Sequence, residues 1–316
     1  MSTQWSFGRI HGRLRAIALL TLALTVAAPA AAQAPAATRT FPTAEAAVQA
    51  LVASLKSGDR KGTLAILGPG TSDWIGSGDA VADQATKEQF VASFDRRHGL
   101  APEGDGRVTL EVGEDRWPFA FPLERTANGW RFDTAAGKHE MLARRIGRNE
   151  LDTINVMLAY VDAQRDFASS DRDGDGIPEY ARRFLSSKGK RDGLYFQTQP
   201  NEPPSPLGPL VVRAASEGYA KSAGPTPYHG YHFRILTAQG KHATGGSLDY
   251  IVRGRMIGGF AAVAWPAKYG SSGIMTFIVN HDGVVYQKDL GADTANAAAA
   301  IRRFDPGPGW TPVPSP

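Results

Sequence analysis

The chain contains no cysteine among its 316 residues. This absence excludes a disulfide scaffold, a thiolate zinc site, a cysteine nucleophile and a lipid-modified N-terminal cysteine. The G-x-S-x-G, H-E-x-x-H and phosphate-loop patterns are missing as well, so common signatures of hydrolases and nucleotide-binding proteins do not apply. A hydrophobic content of 42% is typical of a globular protein, and the length is compatible with about two domains.

Long apolar runs are rare, and the clearest lies at residues 16–26. Three arginines between residues 9 and 15 precede it, and the alanines 30–32 match an A-x-A cleavage site. We therefore predict that residues 1–32 are a secretory signal peptide and that residues 33–40 form a disordered lead. Because the run is about half of the ~20 residues that a membrane helix needs, we expect no membrane span after cleavage and a periplasmic or secreted location.

The chain also has only a small excess of positive over negative charge. Cleavage would remove three arginines and no acidic residue, so the formal net charge of +4 would fall to +1. A near-neutral chain without a basic cluster offers no electrostatic footprint for nucleic acid or anionic lipid. We expect neither as a partner.

A first domain is predicted over residues 41–145. Apolar periodicity indicates a helix over residues 43–55 and another over residues 83–96. From residue 107 the pattern alternates as in a strand, and the Asn128-Gly129 pair favours a hairpin turn. Helices followed by a curled antiparallel meander predict a small, cone-like α+β domain.

A second domain is predicted over residues 146–316. It opens with a helix whose buried face we expect to be the apolar residues at 3, 4, 3 spacing, Leu151, Ile154, Leu158 and Val161. Apolar strand patterns follow in the C-terminal third, with Asp282-Gly283 as a hairpin signal. The expected fold is again α+β, with the helix packed on an antiparallel β-meander.

The segment with the clearest indication of a ligand is the acidic stretch Asp171-Arg172-Asp173-Gly174-Asp175-Gly176-Ile177-Pro178-Glu179. Carboxylates at alternate positions can converge on one hard cation, and Glu179 can coordinate it directly or through water. The predicted metal ligands for a structural calcium ion are therefore Asp171, Asp173, Asp175 and Glu179. The twelfth position, where a calcium loop carries a bidentate glutamate, is Arg182. The alternative is that Asp175 caps a short helix that begins near Pro178.

Two aromatic residues are candidate binding residues. Trp265 and Tyr269 lie beside Gly270-Ser271-Ser272-Gly273, a composition that favours a flexible tip where exposed rings can stack on sugar or hold a peptide. The alternative is that Trp265 closes the end of the core. His229 and His232 also lie three residues apart, but on a strand this offset points the rings to opposite faces, which disfavours a joint metal site.

Several motifs together carry a family resemblance. The chain has, in order, "DGDGIPEY", "GYHFRIL" and "GGFAAVAWPAKYGSSGIMTFIVNHDGVVYQKDLG". This order resembles a family of secreted bacterial proteins known as domain of unknown function 2950, from Phe41 to about Val313. The resemblance implies a periplasmic or exported location and no established activity. The second domain is also loosely similar to the globular part of type IV pilin-like proteins, although the long hydrophobic stem of a pilin is missing from its helix.

The sequence contains no recognisable set of catalytic residues. We therefore favour a non-catalytic envelope module that binds or helps assemble an exported protein or glycan. The alternative is a periplasmic hydrolase of cell-wall or glycan material, in which Asp249 and Asp289 would serve as acid and base. Two carboxylates within about 5–10 Å across a cleft would favour the enzyme.

The calcium hypothesis predicts the behaviour of Asp173→Ala. If the carboxylates hold calcium, this substitution lowers the melting temperature when calcium is present and has no effect in chelator, since a bound ion stabilises the folded state. Thermal melts of both proteins in both buffers measure this. Equal melting of the unsubstituted protein with calcium and with chelator would contradict the hypothesis.

Overall fold

The computed structural model describes residues 38–172, 174–219 and 226–314, which lie in one compact unit. The fold class is α+β, as the sequence predicts. Two hydrophobic cores are present, one built from residues 41–132 and the other from residues 157–304. We refer to the parts around these cores as the N-terminal and C-terminal lobes.

Helices of the N-terminal lobe pack on an antiparallel sheet. The helices are α1 (Ala44–Ser57), α2 (Arg60–Leu67), α3 (Ser72–Ile75) and α4 (Ala80–Arg96). The strands are β1 (His98–Pro102), β2 (Arg107–Val112), β3 (Trp117–Pro118), β4 (Leu123–Thr126) and β5 (Gly129–Phe132). The sheet order is β1-β2-β4-β5, and β3 pairs with β2. The predicted helix over residues 43–55 and the hairpin at Asn128-Gly129 are confirmed.

Local chemistry explains where α1 begins and ends. The Thr43 hydroxyl accepts a hydrogen bond from the backbone N–H of Ala46, which satisfies a free donor of the first turn. At the other end Gly58 adopts φ +71°, a left-handed conformation that glycine reaches without steric cost. The apolar face between these caps is buried against the core, including Leu51.

Helix α5 (Thr134–Phe167) connects the two lobes as 34 residues of continuous helix. The sequence predicted a helix that opens a second domain after residue 145, whereas α5 begins at Thr134 and runs unbroken through residues 145 and 146. Met141 and Leu142 pack against the N-terminal core, whereas Met157 and Tyr160 are buried in the C-terminal core. In the described part of the chain, no helix is both long and apolar enough to span a bilayer.

The C-terminal lobe is built on a five-stranded sheet of order β14-β13-β12-β11-β6. Its strands are β6 (Tyr231–Leu236), β11 (Ala261–Pro266), β12 (Met275–Asn280), β13 (Tyr286–Asp289) and β14 (Thr311–Pro312). Short strand pairs lie beside it: β7 (Ala238–Gln239) with β8 (Leu248–Asp249), and β9 (Ile251–Val252) with β10 (Arg255–Met256). Helices α6 (Gly208–Ser216) and α7 (Thr294–Ala300) complete the lobe. The predicted packing of the helix on this sheet is confirmed by contacts of α5 with β11 and β12.

The predicted buried face of α5 was partly wrong. Leu151 is 65% exposed, whereas Thr153, Met157 and Tyr160 are buried. The stripe is rotated from the one predicted because Thr153 turns its hydroxyl back to the Asn149 carbonyl, at 2.7 Å, and can therefore be buried. A pattern based on apolar residues alone does not include such a threonine.

A buried glutamine attaches the long connection after α5 to the helix. The side chain of Gln164 is fully buried, and its amide accepts from the Ala181 backbone N–H at 2.9 Å and donates to the Ala181 carbonyl at 2.8 Å. The same amide lies 3.1 Å from the Tyr160 hydroxyl, which donates to the carbonyl of Ala261. This network fixes residue 181 against both α5 and β11.

Asp79 joins the two lobes. Its side chain is fully buried; one carboxylate oxygen accepts from the backbone N–H groups of Val81 and Ala82 and so caps α4. The other oxygen accepts from the Tyr219 hydroxyl at 2.7 Å and from the Gly230 N–H at 3.0 Å, both in the C-terminal lobe. Burial, together with the hydrogen bond to Asp79, raises the pKa of Tyr219 above its ordinary value.

A second set of contacts supports the same junction. The Arg145 guanidinium donates to the Ser271 hydroxyl and to the carbonyl of Ile75, and burial lowers its pKa. The Asn149 amide donates to the Ser272 carbonyl at 2.8 Å. Ser271 and Ser272 are buried, so the segment that the sequence predicted as a flexible tip packs against the middle of α5.

We expect Asp79→Ala to reduce the free energy of unfolding by about 3 kcal/mol or more, because it removes a charged acceptor and leaves buried donors unpaired. Asp59→Ala is the matched control, since Asp59 caps α2 through Gly62 at an exposed position, and we expect a loss of about 1 kcal/mol. Urea unfolding followed by circular dichroism measures both. Equal losses for the two variants would show that the buried contacts of Asp79 add nothing to its capping role.

Candidate functional site

The Asp-rich turn is held by hydrogen bonds from its own backbone. Asp171 accepts from the N–H of Gly174 at 2.8 Å and from the N–H of Gly176 at 2.7 Å. Asp175 accepts from Ile177 and forms an ion pair with Arg255. Residues 177–181 are not helical. The short helix that Asp175 would cap in the alternative interpretation is therefore absent from this segment.

The structure describes three of the four proposed metal ligands, Asp171, Asp175 and Glu179. Asp173 lies outside the described residues. Within residues 38–172, 174–219 and 226–314, no three histidine, aspartate or glutamate side chains come together to hold a metal ion. Glu179 lines a pocket together with residues from the end of α5 and from residues 180–192. Calcium binding by Asp171, Asp173, Asp175 and Glu179 therefore stays a prediction.

This pocket, which we call the cationic pocket, has a volume of about 320 Å³. It lies where the end of α5 meets residues 179–192, and Phe167 and Tyr180 form part of its wall. Five cationic side chains line it: Arg172, Arg182, Arg183, Lys190 and Arg191. Two carboxylates, those of Glu179 and Asp192, also line it. These residues give the pocket a formal charge of +3, compared with +4 for the whole chain of 316 residues.

Three of the five cations are held in place by neighbouring groups. Arg172 donates to the carbonyl oxygens of Phe167 and Asp166, and its guanidinium lies 4.8 Å from the centre of the Phe167 ring. Arg191 lies 5.1 Å from the centre of the Phe196 ring and donates to Glu202 at 2.8 Å. These contacts fix the two arginine planes on aromatic rings by cation–π attraction.

Arg183 belongs to a small network around Asp192. It donates to the Ser187 hydroxyl at 2.6 Å and lies 3.9 Å from the Asp192 carboxylate. Asp192 accepts from the backbone N–H and the hydroxyl of Ser187, at 2.7 and 2.8 Å. The hydrogen bonds from Ser187, aided by the charge of Arg183, lower the pKa of Asp192.

Arg182 and Lys190 complete the set of cations. In the part of the chain that the structure describes, neither side chain has a hydrogen-bond or ion-pair partner. The pKa of Arg172 is lowered by burial and, to a smaller extent, by the like charge of Arg191, while Asp166 opposes the shift. Like charges gathered in one concave site favour the binding of an anion.

The sequence analysis missed this pocket and described the chain as lacking a basic cluster, which was wrong. The signal is present in residues 182–191, where Arg182, Arg183, Lys188, Lys190 and Arg191 fall within ten positions. A whole-chain charge balance averages this segment away. This basic segment does not predict that Arg172 and Phe167 line the pocket, because only the folded chain brings these two residues next to it.

Trp265 and Tyr269, the predicted binding residues, lie apart from the cationic pocket. Trp265 is half-buried on β11, with the Arg234 guanidinium 5.5 Å from its ring centre and the His232 ring 5.6 Å away. The Tyr269 hydroxyl donates to Asp289 at 3.2 Å, and desolvation, followed by this contact with Asp289, raises the pKa of Tyr269. A binding role for Trp265 and Tyr269 stays a prediction.

The two histidines of the 229–232 spacing contact different groups. The His229 ring lies between carboxylates, with Nδ1 3.4 Å from Asp152 and Nε2 3.3 Å from Glu217. Its backbone has φ +49°, which is uncommon for a residue with a side chain. His232 packs on Trp265, so the expectation that the two rings do not form a joint site agrees with their contacts.

The acids considered for hydrolysis bind local backbone. Asp249 lies on β8 and accepts from the N–H of Ile251 at 2.9 Å. Asp289 lies on β13, in a different sheet, and accepts from the N–H of Gly291 at 2.8 Å. Each carboxylate therefore serves a turn of its own segment.

We expect His232 to make stability depend on pH. Burial lowers the pKa of His232, so the unfolded chain takes up this proton more readily than the folded one, and stability falls as the pH drops below the unfolded value of about 6.5. His232→Gln removes this contribution. Melting temperatures between about pH 7.5 and about pH 5.5 should fall less steeply in the variant; parallel curves would contradict this assignment.

Comparison with known proteins gives a family and no function. No curated protein and no solved structure matches the chain. A family model described as "Protein of unknown function (DUF2950)" matches residues 38–313. This range contains both lobes, the Asp-rich turn and the cationic pocket, and it agrees with the resemblance carried by the sequence motifs. The chain therefore belongs to the DUF2950 family.

Proposed function

We propose that this protein is an exported, non-catalytic module that binds an anionic component of the cell envelope. The observation that carries the proposal is the cationic pocket, which is lined by five cationic and two acidic residues. Its volume of about 320 Å³ lies at the lower end of the range of about 300–1,000 Å³ found for small-molecule sites. A single acidic group on a larger envelope molecule would fit such a site.

The chemistry of the pocket suits carboxylate or phosphate. Guanidinium groups bind both in a planar, two-pronged geometry. Arg172 and Arg191 are held on aromatic rings, so less conformational entropy is lost when a ligand arrives than for a freely moving chain. Arg182 and Lys190 supply cations that, within the described residues, no acid neutralises.

A binding role is better supported than a hydrolase. Asp249 and Asp289, the pair considered for acid–base catalysis, lie in different sheets and accept bonds from nearby backbone. In the cationic pocket, Asp192 accepts hydrogen bonds from Ser187 and lies beside Arg183, so a structural role suits it better than acid–base catalysis. We therefore propose no catalytic residue.

Export is supported by the sequence. The basic segment at residues 9–15, the apolar run at residues 16–26 and the alanines at residues 30–32 follow the order of a secretory signal. The proposed location is periplasmic or secreted. A structural calcium ion at the Asp-rich turn is a separate proposal, in which Asp171, Asp173 and Asp175 hold the ion while Glu179 lines the cationic pocket.

The test is binding to acidic polymers that carry either carboxylate or phosphate. We expect the chain beginning at Gln33 to bind immobilised alginate or polyphosphate, and the double variant Arg182→Gln/Lys190→Gln to bind about a hundredfold more weakly, because two charge-assisted contacts are lost. Surface plasmon resonance at two salt concentrations measures this. The affinity of the unsubstituted chain should fall as salt rises.

A charge-matched control separates the pocket from net charge. Lys61→Gln/Lys241→Gln removes the same charge at exposed positions outside the cationic pocket, and we expect it to bind like the unsubstituted chain. If both double variants lose affinity equally, the pocket has no special role. If the unsubstituted chain binds neither polymer, the proposed function is wrong.

A further inference from the structure

Glu179 is an unusual member of the cationic pocket. Its side chain is half-buried in the pocket wall among five cations, yet within the described residues it has no hydrogen-bond or ion-pair partner. The other carboxylate of the pocket, Asp192, is fully engaged with Ser187 and Arg183. Glu179 is therefore the acid that a ligand can reach.

The pocket thus offers groups of both signs to a ligand. Arg182 and Lys190 have no acidic partner in the described part of the chain, and they line the same space as Glu179 without pairing with it. A simple anion would gain from Arg182 and Lys190 but would be repelled by Glu179. A ligand that also carries an ammonium group would convert this repulsion into an attraction.

We propose that the cationic pocket is selective for a zwitterionic group, in which an anion and an ammonium are a few bonds apart. The inference rests on the proposed function and names the ligand class for the same site. Arg182 and Lys190 bind the carboxylate or phosphate, and Glu179 binds the ammonium. Both an amino acid and a phosphoethanolamine group have this chemistry.

The size of the site limits the ligand. A volume of about 320 Å³ accommodates one such group and the first atoms of whatever carries it. Phe167 and Tyr180 line the pocket beside the charged residues and supply apolar surface for those first atoms. The carrier of the zwitterion remains outside the pocket.

Matched ligand pairs test the role of the ammonium. Alanine is compared with propionate, and phosphoethanolamine with ethyl phosphate, by isothermal titration calorimetry on the chain beginning at Gln33. In at least one pair, the member with the ammonium should bind about tenfold more tightly, the effect of one hydrogen-bonded charge pair. Preference in the first pair indicates an amino acid, and preference in the second indicates a phosphoethanolamine group.

Substitutions then assign the preference to residues. Glu179→Gln should abolish the preference while leaving propionate or ethyl phosphate binding equal or tighter, and Arg182→Gln should weaken both members of the preferred pair. Glu45→Gln, at an exposed position of α1, is the charge-matched control and should bind like the unsubstituted chain. Thermal melts establish that each variant is folded.

The possible failures are distinguishable. If both members of each pair bind equally, or if Glu179→Gln keeps the preference, the zwitterion inference is overturned while anion binding stands. If no small ligand binds, the zwitterion inference is overturned; if Arg182→Gln also changes nothing in polymer binding, the proposed function is wrong as well.

Discussion

The carboxylate of Asp79 is the constraint on which the arrangement of the two lobes depends. A fully buried acid must have every lone pair satisfied, and here the donors come from the first turn of α4 on one side and from Tyr219 and Gly230 on the other. Gly230 also packs closely against α5, since a Cβ atom at this position would lie 2.6 Å from the Asn149 side-chain amide. One helix cap is thereby also the link between two hydrophobic cores.

Local patterns in the sequence predicted the elements whose causes are local. The Thr43 cap, the Gly58 terminus and the two hairpins depend on residues within a few positions of each other, and all are present. The buried face of α5 was predicted less well, since Thr153 and Gln164 are buried through hydrogen bonds that become visible only with their partners. The predicted domain boundary at residue 145 falls inside α5 for a similar reason, because nothing local marks the change from one core to the other.

The candidate site shows the same division. The Asp-rich turn was recognised from its spacing, but the contacts of Asp171 and Asp175 involve backbone donors and Arg255, which is 80 positions away in the chain. The cationic pocket combines a basic segment that the sequence displays with rings and an arginine that the fold supplies. Residue types could thus be predicted in part, whereas their convergence depends on tertiary structure, chiefly on the anchoring of Ala181 by Gln164.

The continuity of α5 has a consequence for how the protein can vary. Met141 and Leu142 belong to one core and Met157 to the other, and an α-helix turns by about 100° for every residue. Inserting or deleting a single residue between these positions would rotate one lobe about the helix axis relative to its neighbour and move the acceptor Asp79 away from its donors. The number of residues in this stretch therefore sets an angular register, and a change in length would be tolerated only in steps close to whole helical turns.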